Sequence, residues 1–306
     1  MENHINLFLN KDEKIQLLSP RIYKGILSQE SFLILNFKPL EKDIARYIEE
    51  NNLNISVYIL NLRDSASLGI NENKPYEPSS LNKLPIAMII LKKIEEGKLS
   101  LDTILPINNN ERDSSSGFLY KEPINQISIR DLLYNMLSLS DNTALWVLGK
   151  RVTLRELQNL SLYLDYYQKD INYLKDENNK YEITAKSTAN LFISLYLSTF
   201  LKKDDSEMIL FLLTKSSFDI RKYSNIPKEI IIAQKYGVYN KDNIKEFHNC
   251  GILYYKEKRF FYCILTRDLE KEKASEAVGN IVNKLYNFIL KTQNINDIND
   301  LSKKEI

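Results

Sequence analysis

Apolar positions along the chain switch period several times, and the switches mark out helix, sheet, helix and sheet again. From Pro39 onward, Leu40, Ile44, Tyr47 and Ile48 recur at i, i+4, i+7 and i+8, which predicts an amphipathic helix ending near Asn51. Residues 54–63 (NISVYILNLR) are rich in β-branched and aromatic side chains, and with 67–71 after a short turn they predict a hairpin. Residues 79–97 are apolar on several faces through Leu84, Ala87, Met88, Leu91 and Ile94, the pattern of a largely buried central helix stopped by Gly97. Ser128 and Asp131 form a capping-box variant opening a helix through Leu139, and helical patterns follow at about 142–150, 153–163, 185–202 and 205–215. The last third predicts strands at 229–239, 248–255 and 259–267, with 256–258 turning the final pair. A closing helix over about 270–291 carries Ala274, Val278, Ile281, Leu285 and Ile289 on one face.

That order implies an α+β fold. One mainly antiparallel sheet is assembled from N- and C-terminal segments and flanked by the terminal helices, with an all-helical lobe inserted between. The expected division is an N-terminal extension of unassigned structure (1–37) and one domain over 38–306. Within that domain the α/β part takes about 38–75 and 216–292, and the helical lobe about 98–215. The chain of 306 residues is long enough for a substantial core. Its net charge of +2 offers no broad electrostatic reason to bind nucleic acid or an anionic membrane. No apolar run approaches the 18 residues of a membrane span, and the first ten residues have neither the basic nor the apolar region of a signal peptide.

The glycines exclude more. Gly237 and Gly251, the nearest pair, are 14 positions apart, so the dinucleotide fingerprint, the P-loop and the G-x-S-x-G elbow are all impossible. Two histidines, His4 and His248, and two cysteines, Cys250 and Cys263, are too few soft ligands for structural zinc, and no metal or other cofactor is expected. His248 reads as a strand-end polar residue. The two cysteines are expected diagonally across neighbouring strands, as free buried thiols.

With so little histidine, a nucleophile here needs another base, and a buried lysine beside a second cation can serve. Ser80-Leu81-Asn82-Lys83 occurs once as S-x-x-K, and helical i,i+3 spacing brings the Lys83 amine toward the Ser80 hydroxyl near a helix N-terminus. Pro85 removes the hydrogen bond to the Leu81 carbonyl and should distort that turn. Two further motifs follow in order: Ser140-Asp141-Asn142 between helices, and Lys235-Tyr236-Gly237 within a strand.

With S-x-x-K, S-D-N and K-x-G in this order, the sequence resembles the serine β-lactamase and penicillin-binding-protein superfamily, most closely the class A β-lactamase-like serine hydrolases. The resemblance runs from about Pro39 to the end and extends to the stretches 69–83, 132–148 and 248–254. It implies that Ser80 is the acylated nucleophile with Lys83 as its base, and that Ser140 relays a proton to the leaving amine. It also implies that Asn142 holds Lys83 or the substrate amide, that Lys235 anchors a substrate carboxylate, and that Asp141 orders its loop. The oxyanion hole maps to the backbone N–H groups of Ser80 and Val238, beside Gly237.

Two features depart from the family pattern. Tyr236 stands where the strand motif usually offers Thr or Ser, and no E-x-x-L-N segment occurs between Lys150 and Ile183, although Glu156, Asp170, Asp176 and Glu177 supply carboxylates there. The resemblance therefore implies hydrolysis of a β-lactam or related amide, with two alternatives open: a D-alanyl-D-alanine peptidase or penicillin-binding protein that deacylates slowly, and a non-catalytic cell-envelope sensor. It further implies work outside the cytoplasm on a β-lactam or peptidoglycan peptide; no nucleic-acid partner is expected, and of the oligomeric states, which the sequence leaves open, a monomer is favoured.

Overall fold

The computed structural model of the chain describes residues 16–19, 35–167, 182–241 and 244–302. Helix α1 (Lys38–Glu50) leads into β1 (Ile55–Asn61) and β2 (Ser67–Ile70). The helical part then runs through α2 (Lys83–Glu95), the short strands β3 (Ile104–Pro106) and β4 (Gln126–Ser128), α3 (Ile129–Ser138), α4 (Asn142–Gly149), α5 (Leu154–Leu164), α6 (Ala185–Leu197) and α7 (Lys203–Thr214). The chain finishes with β5 (Ile231–Lys241), β6 (Ile244–Tyr255), β7 (Lys258–Arg267) and α8 (Lys271–Ser302).

The main sheet has the order β2-β1-β7-β6-β5, every neighbouring pair antiparallel, so strands from both ends of the sequence meet at β1 and β7. It is covered on both sides. Ile55, Val57, Ile59, Phe260, Tyr262 and Ile264 share one core with α1 and α8, while Leu60, Phe261, Cys263 and Leu265 share another with the helical part. Burial of both faces is why β1 and β7 read as nearly continuous apolar runs rather than alternating ones. Every residue of α2 from Lys83 to Leu91 is buried, as the many-faced apolar pattern requires. The α+β architecture read from the element order is the one observed.

Several boundaries move, each for a local reason. Helix α6 stops at Leu197 because Ser198 turns left-handed at φ 52°, and β6 begins at Ile244, so His248 is a fully buried mid-strand residue rather than a strand end. The three-residue strands β3 and β4 are too short to leave a periodic signal. Cys250 and Cys263 are exact register partners, not diagonal ones, and are joined as a disulfide. The two-residue turn Lys256-Glu257 between β6 and β7 fixes that register. Part of the N-terminal segment lies on the core: Leu17 and Leu18 are buried, the Tyr254 hydroxyl donates to the Leu17 carbonyl at 3.0 Å, and Ser19 N–H donates to Tyr196 at 2.8 Å. Among the described residues no helix is long and apolar enough to cross a membrane, and no cluster of His, Cys, Asp and Glu is arranged to hold a metal.

Candidate active site

The residues Ser79–Asn82 are wound as a 3-10 turn before α2 begins at Lys83, and Pro85, in the first turn of α2, has no N–H to offer the Leu81 carbonyl. In 3-10 winding, positions i and i+3 eclipse, which stacks Lys83 directly on Ser80. The Lys83 ammonium lies 2.9 Å from Ser80 Oγ, 2.7 Å from the Ser140 carbonyl, 3.1 Å from Ser140 Oγ and 2.7 Å from Asn142 Oδ1. All four partners are neutral. Burial therefore dominates and pulls the amine from 10.5 down to about 7, against the opposing fields of Asp141 and Asp113. A shift of that size corresponds to about 5 kcal/mol between the two protonation states.

The second motif is delivered by the α3–α4 junction. Asp141 caps α4, its Oδ1 accepting from Ala144 N–H at 2.9 Å, and its Oδ2 accepts from Phe118 and Leu119 N–H at 2.6 and 2.9 Å. Its carboxylate is thus consumed in holding the loop. Gly117 must be glycine here: its φ is +90°, and an added Cβ would lie 2.0 Å from Asp141 Oδ2. Ser140 itself adopts a left-handed φ of 57°, costing about 1 kcal/mol for a residue with a Cβ. That conformation aims both its carbonyl and its hydroxyl at Lys83.

A neighbouring loop, Asp113–Gly117, supports this junction and has no recognisable motif. Ser116 Oγ donates to the Ser140 carbonyl at 2.8 Å, and Asn142 Nδ2 donates to Ser115 Oγ at 2.7 Å. Trp146 Nε1 donates to Asp113 at 3.0 Å. Partial burial alone would raise the Asp113 carboxyl, but the bonds from Ser115 and Trp146 outweigh it and hold the group below its ordinary value. A serine-rich turn carries no periodicity and no fixed spacing, so only contact in space reveals it.

The third motif lies on β5, the sheet edge facing this turn. Lys235 is fully buried and donates to Ser140 Oγ at 2.8 Å and to the Tyr236 carbonyl at 3.2 Å. Burial, reinforced by the Lys83 charge, holds its amine well below the ordinary lysine value. Ser79 Oγ donates to the Val238 carbonyl at 2.6 Å, which shows that this carbonyl points outward from the edge. In an antiparallel ladder the N–H and C=O of one residue point the same way, so Val238 N–H also faces the Ser79–Ser80 turn. Gly237 lies against that turn, with its Cβ position 3.1 Å from Ser80 N. Tyr236 goes to the other face, beside Phe218 and Phe247, and its hydroxyl meets Ser217 Oγ at 3.3 Å.

Ser80, Lys83, Ser140, Asn142, Lys235, Gly237 and Val238 thus converge, and Tyr236 borders them, with Lys235 Nζ 4.8 Å from the centre of its ring. Of the carboxylates after Lys150, Glu156 is engaged as the capping partner of Thr153 and pairs with Lys93 at 2.9 Å. Asp170, Asp176 and Glu177 lie outside the described residues.

An α+β molecule with a serine stacked on a buried lysine, and a second buried lysine on the facing sheet edge, defines the class of active-site serine enzymes that use lysine in place of histidine. Residues 39–289 match the Beta-lactamase enzyme family, and the chain belongs to it. That membership makes it a β-lactamase-like serine hydrolase. Over 222 residues it is 25% identical to the β-lactamase VEB-1 of Pseudomonas aeruginosa, covering 65% of this chain and 72% of that one. Among solved structures it is similar to the TLA-3 extended-spectrum β-lactamase, with a TM-score of 0.73 and 18% identity over 83% of this chain and 99% of that one. It is similar also to PBP-A, with a TM-score of 0.70 and 18% identity over 83% and 97%. At such identity the likeness to these structures concerns the fold.

Proposed function

We propose that Ser80 is acylated by a β-lactam or related amide, with Lys83 as its general base. The observation that carries this reading is the Lys83 amine at 2.9 Å from Ser80 Oγ, surrounded by neutral partners and lowered to about 7. Near neutral pH a large fraction of that amine is unprotonated and able to take the hydroxyl proton. Ser80 Oγ bonds to the carbonyl carbon, the charge on oxygen is met by the N–H groups of Ser80 and Val238, and the C–N bond breaks as its nitrogen gains a proton. Ser140 suits that transfer: its oxygen accepts from both Lys83 and Lys235, which leaves the hydroxyl hydrogen to be donated. Asn142 holds Lys83, and Lys235 supplies positive charge for a substrate carboxylate.

The long-lived acyl-enzyme of a penicillin-binding protein is a second reading, favoured by one observation: Glu156 is committed to a helix cap and to Lys93. We further read residues 38–306 as one catalytic domain with its helical lobe at about 98–215, acting outside the cytoplasm as a monomer. Intact-protein mass spectrometry during penicillin exposure tests the first half-reaction and its successor together. A covalent adduct on the wild type that is missing from Ser80→Ala supports acylation, and its lifetime separates hydrolase from penicillin-binding protein. Failure of the wild type to form any adduct overturns the proposal.

A further inference from the structure

A short strap, Pro75–Pro78, leads into Ser79 and Ser80, and its backbone is satisfied in an unusual way. Prolines at both ends leave only Tyr76 and Glu77 with an N–H, so the strap cannot join a sheet ladder in the ordinary manner. Tyr76 exchanges both of its backbone hydrogen bonds with Ile183 at 2.9 Å, and the Pro78 carbonyl accepts from Leu81 N–H at 3.0 Å. The remaining three groups are taken by side chains of the sheet. Arg267 Nη2 donates to the Pro75 carbonyl at 2.9 Å, Glu77 N–H donates to Glu246 Oε2 at 3.2 Å, and His248 Nε2 donates to the Glu77 carbonyl at 2.8 Å. Every backbone polar group of the strap therefore has a partner.

The three side chains also lock one another. Arg267 Nε donates to Glu246 Oε1 at 2.6 Å, and the buried Glu246 carboxylate lies 3.4 Å from His248 Nε2. Burial alone would raise that carboxyl, but His248 and Arg267 hold it below its ordinary value. Tyr76 packs edge-on against the His248 ring at 5.6 Å, and the Arg267 guanidinium lies over the Tyr76 ring at 4.7 Å. On the ladder His248 is the register partner of Gly237, whose Cβ position faces Ser80 N. One strand position therefore grips the strap on one side and faces the oxyanion edge on the other.

What such a grip would hold is Ser79. This residue adopts φ 49°, a left-handed conformation that a non-glycine residue leaves unless its surroundings impose it. Its two neighbours are fixed by different elements: the clamped strap before it, and the 3-10 turn with the nucleophile after it. We infer that Glu246, His248 and Arg267 are positioning residues for acylation: they clamp the backbone of Pro75–Glu77 and thereby hold Ser79 left-handed, with Ser80 N–H aimed along the oxyanion edge and Ser80 Oγ stacked on Lys83. They touch neither the hydroxyl nor a substrate carbonyl, and act only through the strap. The inference rests on the proposed acylation of Ser80.

The test compares His248→Phe, which keeps a flat ring but loses the donor, with His248→Gln, which restores an N–H donor to the Glu77 carbonyl. Two measurements are made on the full chain. The first is acylation by a fluorescent penicillin, resolved into its maximal rate and its half-saturating concentration. The second is amide hydrogen exchange of the peptide covering the strap and nucleophile turn. In His248→Phe the maximal rate is expected to fall by about 10- to 100-fold, as a displacement near 1 Å does, with half-saturation unchanged within about twofold. His248→Gln is expected to recover most of that rate. Exchange is expected to quicken in His248→Phe at Glu77 and Ser80 and to stay unchanged on α6 and α8. A folded His248→Phe with wild-type maximal rate and wild-type exchange overturns the inference, as does a loss that falls on half-saturation alone. If the wild type forms no adduct, acylation is what has failed, and exchange at the strap alone decides the clamp.

Discussion

Two buried charged clusters flank the nucleophile turn, and they are built on opposite plans. On one side Lys83 and Lys235 put two amines around a single serine hydroxyl, with no carboxylate among the described residues bonded to either. On the other side Glu246 and Arg267 bring opposite charges into contact beside His248, and all three side chains bond the backbone of the strap. Burial beside a like charge disfavours the protonated form, so the Lys83 proton comes off easily and that amine can act as a base. Burying opposite charges in direct contact fixes a geometry instead, because removing one partner strands the other. Reactivity and rigidity are thus separated in space by the single residue Ser79.

The largest break in that contrast is expected from Ser80→Ala, which abolishes the penicillin adduct by mass while leaving the clamp side and its exchange protection as in the wild type. Next is Lys83→Met. Acylation should drop by ~10²–10⁴-fold, the usual range for losing a general base. Its pH dependence gives the sign. In the folded protein Lys83 is protonated below about 7, so the wild-type acylation rate should climb as pH rises through 7 and level off above it. The unfolded chain keeps that proton up to about 10.4, so folding releases it and stability should rise with pH across the window between the two values. Urea titrations at several pH values should show a shallower slope in Lys83→Met.

A smaller effect is expected from Gly237→Ala. The new methyl meets Ser80 N at 3.1 Å and Ser79 Cβ at 3.1 Å, so the turn must yield by a few tenths of an ångström. A roughly 10-fold slower acylation is anticipated, below the ~10²–10³-fold seen when an oxyanion donor is lost outright. A rate equal to the wild type would show that the edge and turn tolerate separation. Smallest is Glu156→Gln, which weakens the cap on α5 and the pair with Lys93. It should lower stability by ~1 kcal/mol in chemical denaturation and leave acylation and adduct lifetime within about twofold. A strongly prolonged adduct would instead make Glu156 the base for deacylation.

The motifs were legible because their chemistry is compact. Ser80 and Lys83 need only helical spacing. The five main strands and the central helix were legible from period and composition. Less of the site lay in such local signals. The Asp113–Gly117 loop has no pattern, and Ser79 and Ser140 gave no sign of left-handed backbone. The Cys250–Cys263 pairing depended on a register that a one-residue change of turn would have shifted.

What the amino acids determined alone was the inventory: one hydroxyl and one amine three positions apart, a second serine, a second lysine, and sheet segments at both ends of the chain able to pair. Only the tertiary structure decided that Lys83 and Lys235 share Ser140, that Ser79 is held left-handed, and that Glu246, His248 and Arg267 grip the strap. The reason is physical. A lysine's basicity depends on how completely water and counter-charge are excluded, and a strained backbone on what surrounds it, and both are properties of segments up to 190 or so positions apart meeting in space.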